Sequence, residues 1–283
     1  MIGIFDSGLG GLTVLKSIKK NLPQYDYIYY GDTLHVPYGS RSSEAIYELS
    51  KKACDFLFEK GCKLIIVACN TASAKALRRL QTEYLNEVNG LTGQLVNILG
   101  VIRPVAEEFS MISKGRVGVI GTKGTIESGI YEEELKDERE KIKVEKSNVK
   151  SQMLNVYQQP TPLLVPFIEE GLMKRKELKS ILRMYLRPLK DQQVDSLILG
   201  CTHYPLIIKQ IRAIMGKNCV VPNPAEIVAD KLKQYLEQHS DLEKSLAKTG
   251  QRQYFVTDLS DSFNQTATRF LKEKINFKKI NEK

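Results

Sequence analysis

The chain reads as an α/β protein of two pseudo-symmetric halves, each a mostly parallel sheet flanked by helices, with a site in the cleft between them. Three observations predict this. Strand-like apolar runs alternate with segments of helical period, the order that builds parallel sheets covered by helices on both faces. Residues 65–73 (IIVACNTAS) and 197–205 (LILGCTHYP) repeat one pattern: a β-branched and leucine-rich run, a small residue, a cysteine, then small polar residues. Their cysteines, Cys69 and Cys201, lie 132 positions apart, and a fainter echo relates residues 3–8 to 118–123 at an offset of 115. The offsets differ by 17, about the length of an inserted loop, so a duplicated α/β unit is the economical reading.

Residues 2–5 form a short apolar strand, followed by a turn rich in glycine (Gly8, Gly10, Gly11). Leu12, Leu15 and Ile18 share one face of a helix over 12–21, and Pro23 lies beyond its end. Residues 27–30 are a second strand ending in Gly31-Asp32. Residues 43–60 place Ile46, Leu49, Ala53, Phe56 and Leu57 at helical spacing, with Gly61 as C-cap. Residues 64–68 are a third strand ending at Cys69, after which Thr71 or Ser73 caps a helix reaching 80–85. A second set opens with a strand at 96–101, a helix near 105–113, a strand at 117–120 ending in GTKGT, and a charged helix over 131–141. A helix over 174–186 leads to the strand 196–199, and after Cys201 come a helix (206–215), a strand (220–221) and a helix (225–238).

The 283 residues suffice for two domains, and 42% hydrophobic with 27% charged residues is a soluble globular balance. No apolar run approaches the roughly 20 residues that span a bilayer. The start, MIGIFDSGLGG, lacks the basic and apolar regions of a signal peptide. Five cysteines (54, 62, 69, 201, 219) without a CxxC pair then point to reduced thiols in a cytoplasm. The net charge is +9, and charged residues crowd into two mixed runs, 132–150 and 269–283, the first net −1 and the second net +4. Both interleave acids with bases and lack an aromatic ladder, so the expectation is a solvated surface and not a nucleic-acid site.

Cysteines at 54, 62 and 219 read as small buried hydrophobes. Cys69 and Cys201 differ, because Asn70-Thr71 and Thr202-His203 follow them, just past strand ends where open α/β sheets bind ligands. A thiol on each side of a small substrate suits removal of a proton from one face of a carbon and delivery to the other. His203 is a candidate proton-accepting neighbour. Cys201 and His203 alone are too few for a zinc site, and no metal is expected. Thr13 replaces the last glycine of GxGxxG, and Asp6 at the mouth would repel a pyrophosphate, so no dinucleotide is expected even with Asp32 ending strand two. Asp6 and Ser7 are either helix caps or, for Asp6, a partner for an ammonium or a thiol. Pro37-Tyr38-Gly39-Ser40 is a turn whose N–H groups could hold a carboxylate.

Six segments, GIFDSGLGGLTVL, YYGDTLHVPYGSRS, ACNTASA, GVIGTKGTI, VPFIEEG and LGCTHYPL, together resemble the glutamate racemases of the aspartate/glutamate racemase superfamily, in order and to about position 230. The resemblance implies two domains, 1–97 with 208–283 and 98–207, and racemisation of glutamate for peptidoglycan without a cofactor. It implies that Cys69 and Cys201 exchange the Cα proton on opposite faces, Asp6 assisting Cys69 and His203 assisting Cys201, with Glu169 a further acid. Substrate contacts are implied for Asp6, Ser7, Tyr38, Gly39, Asn70, Thr71, Thr202 and His203. A homodimer is expected, aspartate is the alternative substrate, and DNA gyrase or nucleic acid is a partner the resemblance leaves open without support in the sequence pattern. Two departures stand out: Gln159 to Pro162 before VPFIEEG lack the usual cysteine, and Pro222-Asn223-Pro224 replaces a usual serine–glycine pair.

Overall fold

A computed structural model describes residues 1–92, 96–145 and 154–280. Nine strands run in chain order among them: β1 (Ile2–Asp6), β2 (Tyr27–Gly31), β3 (Leu64–Val67), β4 (Asn97–Gly100), β5 (Arg116–Gly121), β6 (Asn155–Pro160), β7 (Ser196–Gly200), β8 (Arg252–Val256) and β9 (Phe277–Lys279). They form two sheets, β4-β3-β1-β2-β8-β9 and β6-β5-β7. Every pairing is parallel. No helix among the described residues is long and apolar enough to cross a membrane.

Strands β1, β2 and β3 are buried along their whole length, which is why they read as unbroken apolar runs. Their side chains alternate between two cores. Ile2, Ile4, Tyr27, Tyr29, Leu64 and Ile66 face a cluster that continues into the second sheet. Phe5, Ile28, Tyr30, Ile65 and Val67 face a separate cluster on the other side. The helix Gly11–Asn21 covers the first face with Leu12, Leu15 and Ile18, and Lys19 and Lys20 end it where cations suit the helix dipole. The helix Ser43–Glu59 covers the other face and is capped by Ser42, whose Oγ accepts from the Ala45 N–H at 3.2 Å. Pro224 opens the helix Pro224–Gln238, its missing N–H costing nothing in the first turn, and the Asn223 side chain caps it.

The two sheets are related as the offsets suggested. β1 and β5 are each flanked on one side by the strand that precedes Cys69 or Cys201, β3 and β7, and on the other side by β2 and β6. Other elements depart from expectation. β4 pairs with β3 and so joins the first sheet and not the second set. β6 (NVYQQP) is half-exposed along most of its length, so no apolar run betrays it. Val220 makes only an isolated bridge to Ser196 in place of a strand. The segment beyond residue 238 contributes β8, the helix Asp261–Leu271 and β9 to the edge of the first sheet, with Phe277 buried in a run that reads as solvated charge.

Candidate active site

The carboxyl ends of the two sheets meet through polar contacts between residues far apart in sequence. The Thr71 hydroxyl lies 2.9 Å from that of Thr122 and 3.2 Å from that of Thr125. Tyr131 donates its hydroxyl to Asn70 Oδ1 at 2.6 Å, and Thr13 donates to the Thr202 carbonyl at 2.8 Å. Between them lies a cavity of about 480 Å³ that both Cys69 and Cys201 line. Every residue the sequence singled out lines it except Asp6, which is buried just behind the wall.

Cys69 follows β3 and caps the helix Asn70–Lys75, its sulfur accepting from the Ala72 N–H at 3.5 Å. The Ser7 hydroxyl lies 3.3 Å from the same sulfur, so the immediate polar neighbour of this thiol is Ser7 and not Asp6. Burial and then the negative charge of Asp6 push the Cys69 thiol up to about 12, against smaller opposing pulls from Ser7 and the Ala72 N–H. Asp6 accepts from the Gly8 N–H at 2.9 Å and, at 3.4 Å, from the Thr202 hydroxyl of the facing half. Burial raises its carboxyl above the ordinary range; the charge of His203 and the N–H groups of Gly11 and Gly8 pull it back only in part.

Cys201 follows β7, with its sulfur 3.7 Å from His203 Nδ1, and His203 Nε2 is 2.9 Å from Glu169 Oε1. Burial alone would lower the imidazole's pKa, but the bonds to Cys201 and Glu169 outweigh it and push His203 up to about 10. A histidine in an unfolded chain titrates near 6.5. A group raised on folding contributes stability that is complete below about 6.5 and is lost as pH rises through about 10. Denaturation midpoints are therefore expected to fall across that window, and His203→Gln should flatten the fall. A midpoint that rises over the same range would contradict these hydrogen-bond partners.

Tyr38 and Gly39 lie in the short turn Tyr38–Ser40, and both line the cavity. The Tyr38 hydroxyl is turned away from it, donating to Asp32 Oδ2 at 2.6 Å, so the ring and backbone are what this residue presents. Asp32 also accepts from Thr257 at 2.9 Å, which ties the turn to the end of β8. Asn70 is held from the other half by Tyr131, and Tyr131→Phe would leave a buried carbonyl without its donor. The expected cost is about 1–3 kcal/mol in stability, read by urea denaturation, together with a higher KM.

Several lining residues carry no mark in the sequence pattern. Thr122 stands where the offset of 115 puts Ser7, and that echo could have found it. Thr161 donates to the Gly121 carbonyl at 3.1 Å and shares a 2.6 Å contact with the Tyr204 hydroxyl, but no local motif signals it. Cys54, Cys62 and Cys219 are buried away from the cavity. Among the described residues, no group of three or more His, Cys, Asp and Glu side chains is placed to hold a metal ion.

A family model for Asp/Glu/Hydantoin racemase matches residues 2–229. The chain is 40% identical to a glutamate racemase of Geobacter metallireducens, over 97% of this chain and 93% of that one. It is 38% identical to one of Aquifex aeolicus, over 97% and 95%. Among solved structures, a glutamate racemase isoform of Bacillus anthracis superposes with a TM-score of 0.84 at 33% identity, covering 99% of this chain and 97% of that one. One from Francisella tularensis, in complex with D-glutamate, gives 0.81 at 30% identity with the same coverage. With two thiols at equivalent strand ends and these likenesses over nearly its whole length, the chain belongs to the Asp/Glu/Hydantoin racemase family.

Proposed function

We propose that the protein interconverts L- and D-glutamate by a two-base mechanism that needs no cofactor, supplying D-glutamate for the cell wall. The observation that carries the reading is the pair of thiols, each just past the end of an equivalent strand, lining one cavity from two halves of the molecule. One sulfur, as thiolate, takes the Cα proton while the other, as thiol, delivers a proton to the opposite face, so the centre inverts without the substrate turning over. His203 is the cation beside Cys201 and Glu169 holds its far nitrogen, which supports negative charge on that sulfur. Ser7, beside Cys69, is the hydroxyl that does the same for the other thiol.

Without pyridoxal phosphate there is no electron sink, so charge developing on the α-carboxylate must be met by preorganised donors. Asn70, Thr71, Thr202 and the N–H of Gly39 are assigned that role, since all four residues line the cavity and the three side chains are held by contacts that cross between the halves. Asp6 acts from behind the wall through Thr202 and through its charge on Cys69. The domain division 1–97 with 208–283 and 98–207, a cytoplasmic location and a homodimer belong to the same reading. Exposed Leu34, Val36 and Leu163 support a self-associating face, and sedimentation would check it.

The experiment is proton NMR of L-glutamate, and separately L-aspartate, in D₂O with protein freed of pyridoxal phosphate and treated with chelator. Loss of the Cα–H signal for glutamate with D-glutamate appearing is the expected result. Exchange of aspartate alone would transfer the reading to that substrate, and no exchange with either would overturn it.

A further inference from the structure

The largest basic cluster lies outside both mixed runs of charge. A groove of about 1120 Å³ runs between the helices Lys176–Asp191 and Ile208–Met215, on different residues from the thiol cavity. Eight of its lining residues are Lys or Arg and one, Asp191, is acidic, so it holds seven of the nine net charges of the whole chain. Lys176, Lys179, Arg183, Arg187 and Lys190 recur at three- and four-residue steps and so form one stripe along the helix. Lys209 stands on the facing helix, and Lys174 and Arg175 close one end. Among the described residues only Arg187 has a carboxylate in ion-pair range, Asp191 at 3.9 Å, and Lys190 donates to the Ile214 carbonyl. The other cations are exposed and unneutralised. The same helix buries Leu178, Leu182, Tyr185, Leu186 and Leu189, so its apolar face is taken by the core and the stripe is what it offers to solvent.

We propose that this groove seats the phosphate backbone of duplex nucleic acid, without regard to sequence. From Lys176 to Lys190 the stripe is about 21 Å long at 1.5 Å per residue. A duplex presents one charge per about 1.7 Å, some twelve over that length, of which about half face the groove and give five or six contacts with its cations. An acidic protein helix offers about one carboxylate per 5.4 Å turn on a face, or about four, and would leave half the groove unmatched. A bilayer surface is flat where this one is concave. Among the described residues no aromatic side chain lines the groove, which removes the stacking platform single strands use.

The test uses the full chain and labelled duplexes of DNA and of RNA of mixed sequence, followed by fluorescence anisotropy between about 50 and 200 mM salt. Binding of either duplex is expected to weaken with a log–log salt slope of about −5, from five or six phosphate contacts. K179A/R183A/R187A should bind at least tenfold more weakly, with the slope shallower by about 2.7, while glutamate turnover stays unchanged. K20A/K52A/K233A removes equal charge from three exposed positions elsewhere and should leave affinity within about twofold. The proposal is overturned if no duplex binds at low salt, or if the second triple variant weakens binding as much as the first. It is equally overturned if poly-glutamate or vesicles of anionic lipid bind in preference to duplex.

Discussion

Cys69→Ala and Cys201→Ala are each expected to lower glutamate racemisation by about three to four orders of magnitude, the scale of losing a positioned proton-transfer group. The two variants should nonetheless keep half a reaction. The thiol left in place faces one side of Cα, so it can remove a proton and return a solvent deuteron to the same face. Slow exchange of the Cα–H with retained configuration, for one enantiomer in each variant, is what NMR in D₂O combined with chiral chromatography should find. Full turnover in either variant would refute the two-thiol mechanism. Inversion by a single-cysteine variant would show that one base serves both faces.

The second large effect is expected at a residue with no chemistry of its own. A Cβ on Gly10 would lie 2.1 Å from Thr202 Oγ1 and 2.5 Å from His203 Nδ1. Gly10 has ordinary helical angles (φ −60°, ψ −37°), so alanine is tolerated by the backbone and the whole penalty is one of space. The glycine lets the first turn of one half approach the loop that carries Cys201. Gly10→Ala should cost about 1–3 kcal/mol by overpacking. It should also cut kcat about a hundredfold, because an ångström's displacement of a proton-transfer group is enough for that. Gly90→Ala is the control, since its Cβ meets nothing within 4 Å and it lies inside the helix Leu85–Thr92. That variant should be stabilised by up to about 1 kcal/mol.

Half of the first sheet was legible because β1, β2 and β3 are buried on both faces and advertise it as continuous apolar runs. The two thiols were legible because β3 and β7 end alike. What escaped did so for physical reasons. β6 and β9 are edge strands whose partly exposed faces carry polar or charged residues, so neither has a strand's apolar signature. The bond from Tyr38 to Asp32 and the one from Tyr131 to Asn70 join residues by shape alone, and no spacing encodes them. The basic groove was invisible for the same reason: its cations are spread through a run that also carries Glu177 and Asp191, and only the helix sorts them to one side.

The order of strands bears on how the molecule is made. β2 emerges from the ribosome early, yet its partner β8 is synthesised 225 residues after it. At about 5–20 residues per second the interval is on the order of ten to forty seconds. Throughout it, the apolar strand YIYYG is paired on one side with β1 and is an open edge on the other. Holdase chaperones should therefore engage the growing polypeptide between the completion of β4 and the arrival of β8, and messages truncated before residue 252 should yield aggregate.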